Sequence, residues 1–128
     1  MEIITAEKAP AAIGPYSHAI VHNGTVFCSG QIPLDPVTME IVGDTIEIQT
    51  EQVMKNIKRV LEAAGTDLDN IIKATIFLST MADFAGMNQV YEAALKGHKP
   101  ARSAFEVVRL PKDALVEIEC IAAVDLGE

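Results

Sequence analysis

The sequence predicts an α+β domain: one mixed β-sheet carrying both of its helices on the same face. Two segments, 44–64 and 80–96, place apolar side chains at helical spacing between a capping signal and a glycine. Around them lie short β-branched runs bounded by turn residues. The order is strand, hairpin, helix, strand, helix, strand, strand, which matches neither a strictly alternating α/β chain nor an all-β one. At 128 residues, 49% hydrophobic and 22% charged, the chain reads as one domain over 1–128, with enough apolar side chains for a real core.

Ile3-Ile4-Thr5 opens as a short extended run. The loop Ala9-Pro10-Ala11-Ala12 follows, and then the turn Ile13-Gly14-Pro15, which delivers Tyr16 either as a site residue or as a half-buried tyrosine. His18 to His22 and Thr25 to Ser29 flank Asn23-Gly24, a pair suited to the left-handed backbone of a two-residue hairpin turn. Ser29-Gly30-Gln31-Ile32-Pro33 ends that hairpin. Gly30 there admits close approach of a ligand to the backbone, or marks a bulge. Leu34 to Val42 is a loop in which Asp35-Pro36 starts a turn. Asp44-Thr45-Ile46-Glu47 has capping-box spacing. Ile46, Val53, Ile57, Val60, Leu61 and Ala64 then mark an amphipathic helix of about five turns that stops at Gly65.

Leu68-Asp69-Asn70 connects to a strand over Ile71 to Ser79. Thr80-Met81-Ala82-Asp83 repeats the capping spacing and opens a second helix, with Phe84, Met87, Tyr91, Ala94 and Leu95 inside and Gly97 at its end. Asn88 falls beside that stripe, either in solvent or pointing at a site. The last stretch is two strand-like runs, from Pro100 and up to Val124, joined as a hairpin through Leu110-Pro111-Lys112-Asp113. With both helices on one face, the other face is left with Ile72, Ala74, Ile76 and Leu78 or their alternates. That face is too apolar for water, so a cyclic oligomer is expected to cover it.

The net charge of −8 and the dispersed Lys and Arg argue against nucleic acid as the main partner. No run approaches the ~20 apolar residues of a membrane span. Glu2, Glu7 and Lys8 break any signal-peptide pattern, so a cytoplasmic location is expected. Cys28 and Cys120 have no second Cys or His cluster near them in sequence. This excludes familiar zinc spacings and leaves two buried reduced thiols. His18 and His22, four apart on a strand, would share a face about 13 Å apart, too far to share a metal.

Two residues of the final stretch suit chemistry. Arg102, at a strand entrance, offers a planar fork for two-point capture of a carboxylate; the plain alternative is a strand-end surface arginine. Glu117 shares a strand face with Leu115, Glu119, Ile121 and Ala123. A carboxylate among such neighbours is partly desolvated and held nearer neutrality as a proton carrier, unless both glutamates simply face solvent. The chain shows no serine elbow, no Cys–His pair and no Gly-rich phosphate loop. An enzyme built from what remains would hold a small acid with Arg102 and activate water with Glu117.

The segments Ala11-Ala12-Ile13-Gly14-Pro15-Tyr16, Ser29-Gly30-Gln31-Ile32-Pro33, Glu62-Ala63-Ala64-Gly65, Pro100-Ala101-Arg102-Ser103, Arg109-Leu110-Pro111-Lys112-Asp113 and Glu117-Ile118-Glu119 resemble, in order, the Rid family (reactive intermediate deaminase, YjgF/L-PSP). The resemblance is strongest to its RidA subgroup. It implies a chorismate-mutase-like α+β subunit, a homotrimer with clefts between subunits, and no cofactor or metal. The implied activity is hydrolysis of 2-imino acids such as 2-iminobutanoate and 2-iminopropanoate, released by pyridoxal-phosphate enzymes such as threonine dehydratase, to 2-keto acids and ammonia. By the same resemblance Arg102 clamps the substrate carboxylate, Glu117 orients or activates water, and Tyr16, Ser29, Gly30 and Asn88 line the cleft. Where some relatives carry a cysteine two residues after the arginine, this chain has Ala104, so thiol chemistry there is not expected. A binding or protective module that holds 2-keto acids without turnover is the alternative, and a ribonuclease the more distant one.

Overall fold

The computed structural model describes residues 1–124. Its six strands are β1 (Glu2–Ile4), β2 (Ala19–His22), β3 (Thr25–Gln31), β4 (Ile71–Leu78), β5 (Ala101–Glu106) and β6 (Val116–Ala123). Its two helices are α1 (Ile46–Ala63) and α2 (Phe84–Leu95). The strands form one sheet in the order β1-β2-β3-β6-β4-β5. Only β4 and β5 run parallel; every other neighbouring pair is antiparallel. Both helices pack on one face, as the element pattern predicts.

The sequence expectation fails at the C-terminal hairpin. β5 and β6 do not pair, because β4 lies between them. The chain from Val107 to Leu115 crosses the end of β4, and β5 becomes an edge strand. A hairpin would need its two runs joined by a tight turn. Here Pro111–Asp113 form a 3-10 turn in which Lys112 and Asp113 take φ values of 55° and 56°, and α2 has already placed β5 on the far side of β4 through a parallel crossover.

Alternation along β4 and β6 explains the layering. Ala74, Ile76 and Leu78 on β4, and Val116, Ile118, Cys120 and Ala122 on β6, point to the helices and are buried. α1 lays Val53, Met54, Ile57, Val60 and Leu61 on them, and α2 adds Met87, Tyr91 and Leu95. Among the described residues, nothing packs over the opposite face. One cross-strand row there runs Ile3, Ile20, Phe27, Ile121, Lys73, Ala101 across all six strands. A second aligns Glu117, Phe77 and Phe105, the two rings 6.5 Å apart. Phe27 and Phe105 are about half exposed, at 48% and 52%.

Several local expectations shift by a residue or two. The cap of α1 is Thr45, not Asp44: its side chain accepts the Ile48 N–H at 3.3 Å. Thr80 caps a 3-10 turn, Met81–Asp83, and α2 starts only at Phe84. His18 lies outside β2, so the two histidines do not share a strand face. Cys28 and Cys120 are directly opposite each other on β3 and β6, both buried and free, a proximity that sequence distance hid.

Candidate functional site

Glu117 is placed by the β6 register and by a bulge in β3. Cys28 faces Cys120 and Gln31 faces Ile118, so β3 carries one residue more than β6 between these pairs, at Ser29-Gly30. The bulge turns Gly30 toward the Glu117 side chain. A Cβ on Gly30 would overlap Glu117 Oε2 and stand 3.0 Å from its Cδ. The bulge reading of Gly30 holds, and the group that lies close to it in this chain is the Glu117 side chain. Burial first, and the neighbouring Glu119 charge second, raise the Glu117 carboxyl above the usual carboxylate range. A cleft of about 590 Å³ opens here, lined among others by Tyr16, Ser29, Gly30, Lys112 and Glu117.

The Tyr16 wall is held in place by His18. The His18 ring is buried; its Nδ1 accepts the Ala6 N–H at 2.8 Å and its Nε2 lies 2.7 Å from the Pro10 oxygen. A carbonyl only accepts, so Nε2 carries the proton. Along the sequence this histidine reads only as a metal candidate, because the partners that fix it lie 8 and 12 positions away. Ser29 Oγ donates to the Ser17 oxygen at 2.6 Å, which ties the bulge to the same loop. Ser29 therefore builds the wall with a hydroxyl already engaged. Gln49, buried on α1, accepts the Leu115 N–H at 2.8 Å and fixes the entrance of β6. A polar residue within an apolar helical stripe was the available signal for it.

Arg102 sits elsewhere. Phe105 shares the Glu117 face through Phe77, so alternation along β5 puts Arg102 on the helix side of the sheet. There its guanidinium lies 5.5 Å from the Phe84 ring centroid and 5.3 Å from that of Tyr91, and its Nη1 donates to Asn88 Oδ1 at 2.5 Å. An arginine only donates, so the Asn88 oxygen must face it, which turns the two amide N–H groups of Asn88 away. This second cleft, of about 340 Å³, is lined by Asn88, Tyr91, Glu92, Leu95, His98, Lys99, Pro100 and Arg102. α2 is joined to β5 where the Met81 N–H meets Glu106 Oε1 at 2.8 Å, just before the helix starts.

The structure thus gathers Tyr16, Ser29, Gly30 and Glu117 in one cleft, and Arg102 with Asn88 in another, on opposite faces of the sheet. It does not bring Arg102 to Glu117 within the chain. Among the described residues, no group of three or more His, Cys, Asp or Glu side chains gathers as a metal site, and no helix is long and apolar enough to cross a membrane.

The model of the endoribonuclease L-PSP family matches residues 6–124. A RutC family protein of Pyrococcus horikoshii is 55% identical over 121 residues, covering 94% of this chain and 96% of that protein. The mouse protein named 2-iminobutanoate/2-iminopropanoate deaminase is 42% identical over 121 residues, 94% of this chain and 90% of its own length. Among solved structures, E. coli TdcF with bound serine superposes at a TM-score of 0.92 with 41% identity, covering 98% of this chain and all of that one.

Proposed function

This chain belongs to the endoribonuclease L-PSP (Rid) family, and from that premise we propose that it hydrolyses small 2-imino acids to 2-keto acids and ammonia, in clefts completed by neighbouring copies of itself. The observation that carries the proposal is the pairing of two half-sites on one subunit. One presents a guanidinium with free donors, the other a desolvated carboxylate in a walled cleft. Two different patches meet readily in a head-to-tail contact, which gives a ring when its rotation closes. The family resemblance supplies the number three. The bare aromatic face around Phe27 and Phe105, with β5 as an open edge, supplies apolar surface for the contact.

In the completed cleft Arg102 of one copy takes the substrate carboxylate in a two-point pair. The amide of Asn88 donates to the same end of the molecule. Glu117 of the next copy removes a proton from water as the oxygen adds to C2 of the C=N bond. That proton passes to nitrogen to give the carbinolamine. Glu117 then takes the proton of the new hydroxyl and delivers it to the same nitrogen. The C–N bond breaks, so that ammonia leaves with the electron pair as C2 becomes the keto carbon. A carboxyl raised toward neutrality suits this, because it must both take and return a proton. A small ligand in this fold is also in keeping with the serine bound to E. coli TdcF.

The test couples a dehydratase that releases 2-iminobutanoate to a measurement of how fast the imine disappears. Arg102→Ala and Glu117→Gln are each expected to lose activity. Mixing the two variants through dissociation and reassembly restores intact clefts at contacts that pair the surviving Arg102 with the surviving Glu117, about a quarter of them for random mixing in a ring. Wild-type protein that adds nothing to the spontaneous rate sinks the deaminase reading. Inactive variants that never complement sink the shared cleft.

A further inference from the structure

α2 presents three side chains to the Arg102 guanidinium. Phe84, Asn88 and Tyr91 stand at positions i, i+4 and i+7, one face of a helix. Phe84 and Tyr91 each place a ring face within 6 Å of the charge, the distance over which a cation is attracted to an aromatic quadrupole, and Asn88 accepts one of its five N–H donors. Tyr91 is 7% exposed and Phe84 half-buried, so both rings are fixed by the core. Arg102 itself is solvent-exposed on an edge strand, where a long side chain would otherwise sample many rotamers.

We propose that Phe84 and Tyr91 are positioning residues that hold Arg102 in one orientation, so that its free donors face the cleft before a carboxylate arrives. The inference rests on the reading of Arg102 as the carboxylate clamp. The clamp acts on the bound ground state. Removing one ring loosens Arg102 without removing it, so it raises Kd and KM and leaves kcat nearly unchanged, because the guanidinium still pairs with the carboxylate and Glu117 with its water lies on the other half-site.

The experiment measures 2-oxobutanoate binding by calorimetry, turnover kinetics, and the Arg102 side-chain Nε–H resonance in an arginine-selective NMR spectrum. Tyr91→Phe, which keeps the ring, is the conservative control and is expected to leave the Arg102 resonance in place. Tyr91→Leu and Phe84→Leu each weaken binding about two- to fivefold, the size of an exposed cation–π contact. Both also move the Arg102 resonance out of the ring-current shift that two aromatic faces impose. Should Tyr91→Leu fail to fold, the half-buried Phe84→Leu carries the test. An unshifted resonance in folded leucine variants overturns the proposal, as does unchanged Kd in a protein whose wild type binds. If wild type neither binds 2-oxobutanoate nor turns over imine, the clamp reading of Arg102 has failed instead, and the resonance still reports whether the rings hold it.

Discussion

Gly30→Ala separates stability from function at this site. Gly30 is not in the left-handed region, so an alanine meets no backbone penalty there. By narrowing the unfolded ensemble it gains about 0.4–1 kcal/mol. The added Cβ would, however, overlap Glu117 Oε2 and stand 3.0 Å from Cδ and 3.2 Å from Cγ. Carbon–carbon contacts settle at about 3.5–4.0 Å, so the whole carboxyl arm must swing away and not just its outer oxygen. The neighbour is the far end of a flexible side chain facing a cleft, so the displacement costs about 1 kcal/mol or less, below the usual range for overpacking a closed core. The two effects nearly cancel, and the melting temperature is expected to stay within about 4 °C of wild type. Activity is a different matter. A carboxylate misplaced by about 1 Å from its water loses up to about a hundredfold in rate. The imine-disappearance assay should therefore show kcat down about ten- to a hundredfold with 2-oxobutanoate binding retained through Arg102. Combined with Glu117→Gln the loss should not multiply, since both changes remove the same group. Activity within about twofold of wild type, or a multiplicative double variant, would refute the reasoning.

Two further expectations concern stability. The Glu117 carboxyl is raised in the fold, so the folded chain holds its proton to a higher pH than the unfolded chain does. Its contribution is therefore best below the unfolded pKa and is lost as pH rises through the folded one, beyond which the ionised group is a cost. Glu117→Gln should melt above wild type at about pH 8, and the gap should close by about pH 4; a gap that widens in acid would contradict this. His18→Ala leaves the buried Ala6 N–H without its acceptor and frees the loop to Tyr16. A loss of about 2–4 kcal/mol in denaturant unfolding is expected, with weaker ligand binding and partial recovery in His18→Gln; unchanged stability would show the histidine to be dispensable.

The sequence by itself determined the two helices, the mixed sheet they share and the Asn23-Gly24 turn. These follow from periodicity and from glycine's freedom at positive φ, which act within a few residues and so leave a local trace. Asn23 and Gly24 indeed sit at φ 50° and 75°. It also singled out Arg102 and Glu117, because charge at a strand entrance and charge inside an apolar strand both break a pattern. Tertiary structure alone decided what stands beside them. The pairing order puts β4 between β5 and β6, so the expected hairpin does not form, and the registers of β5 and β6 on β4 set Arg102 and Glu117 on opposite faces of the sheet. Register sets Cys28 against Cys120 and opens the bulge that fits Gly30 to Glu117, over separations of some ninety positions that no local spacing encodes. Phe84, Tyr91 and His18 read as ordinary core or metal candidates along the chain. Their partners, Arg102, Ala6 and Pro10, lie 8 to 18 positions away and meet them only once the sheet and its helices are packed.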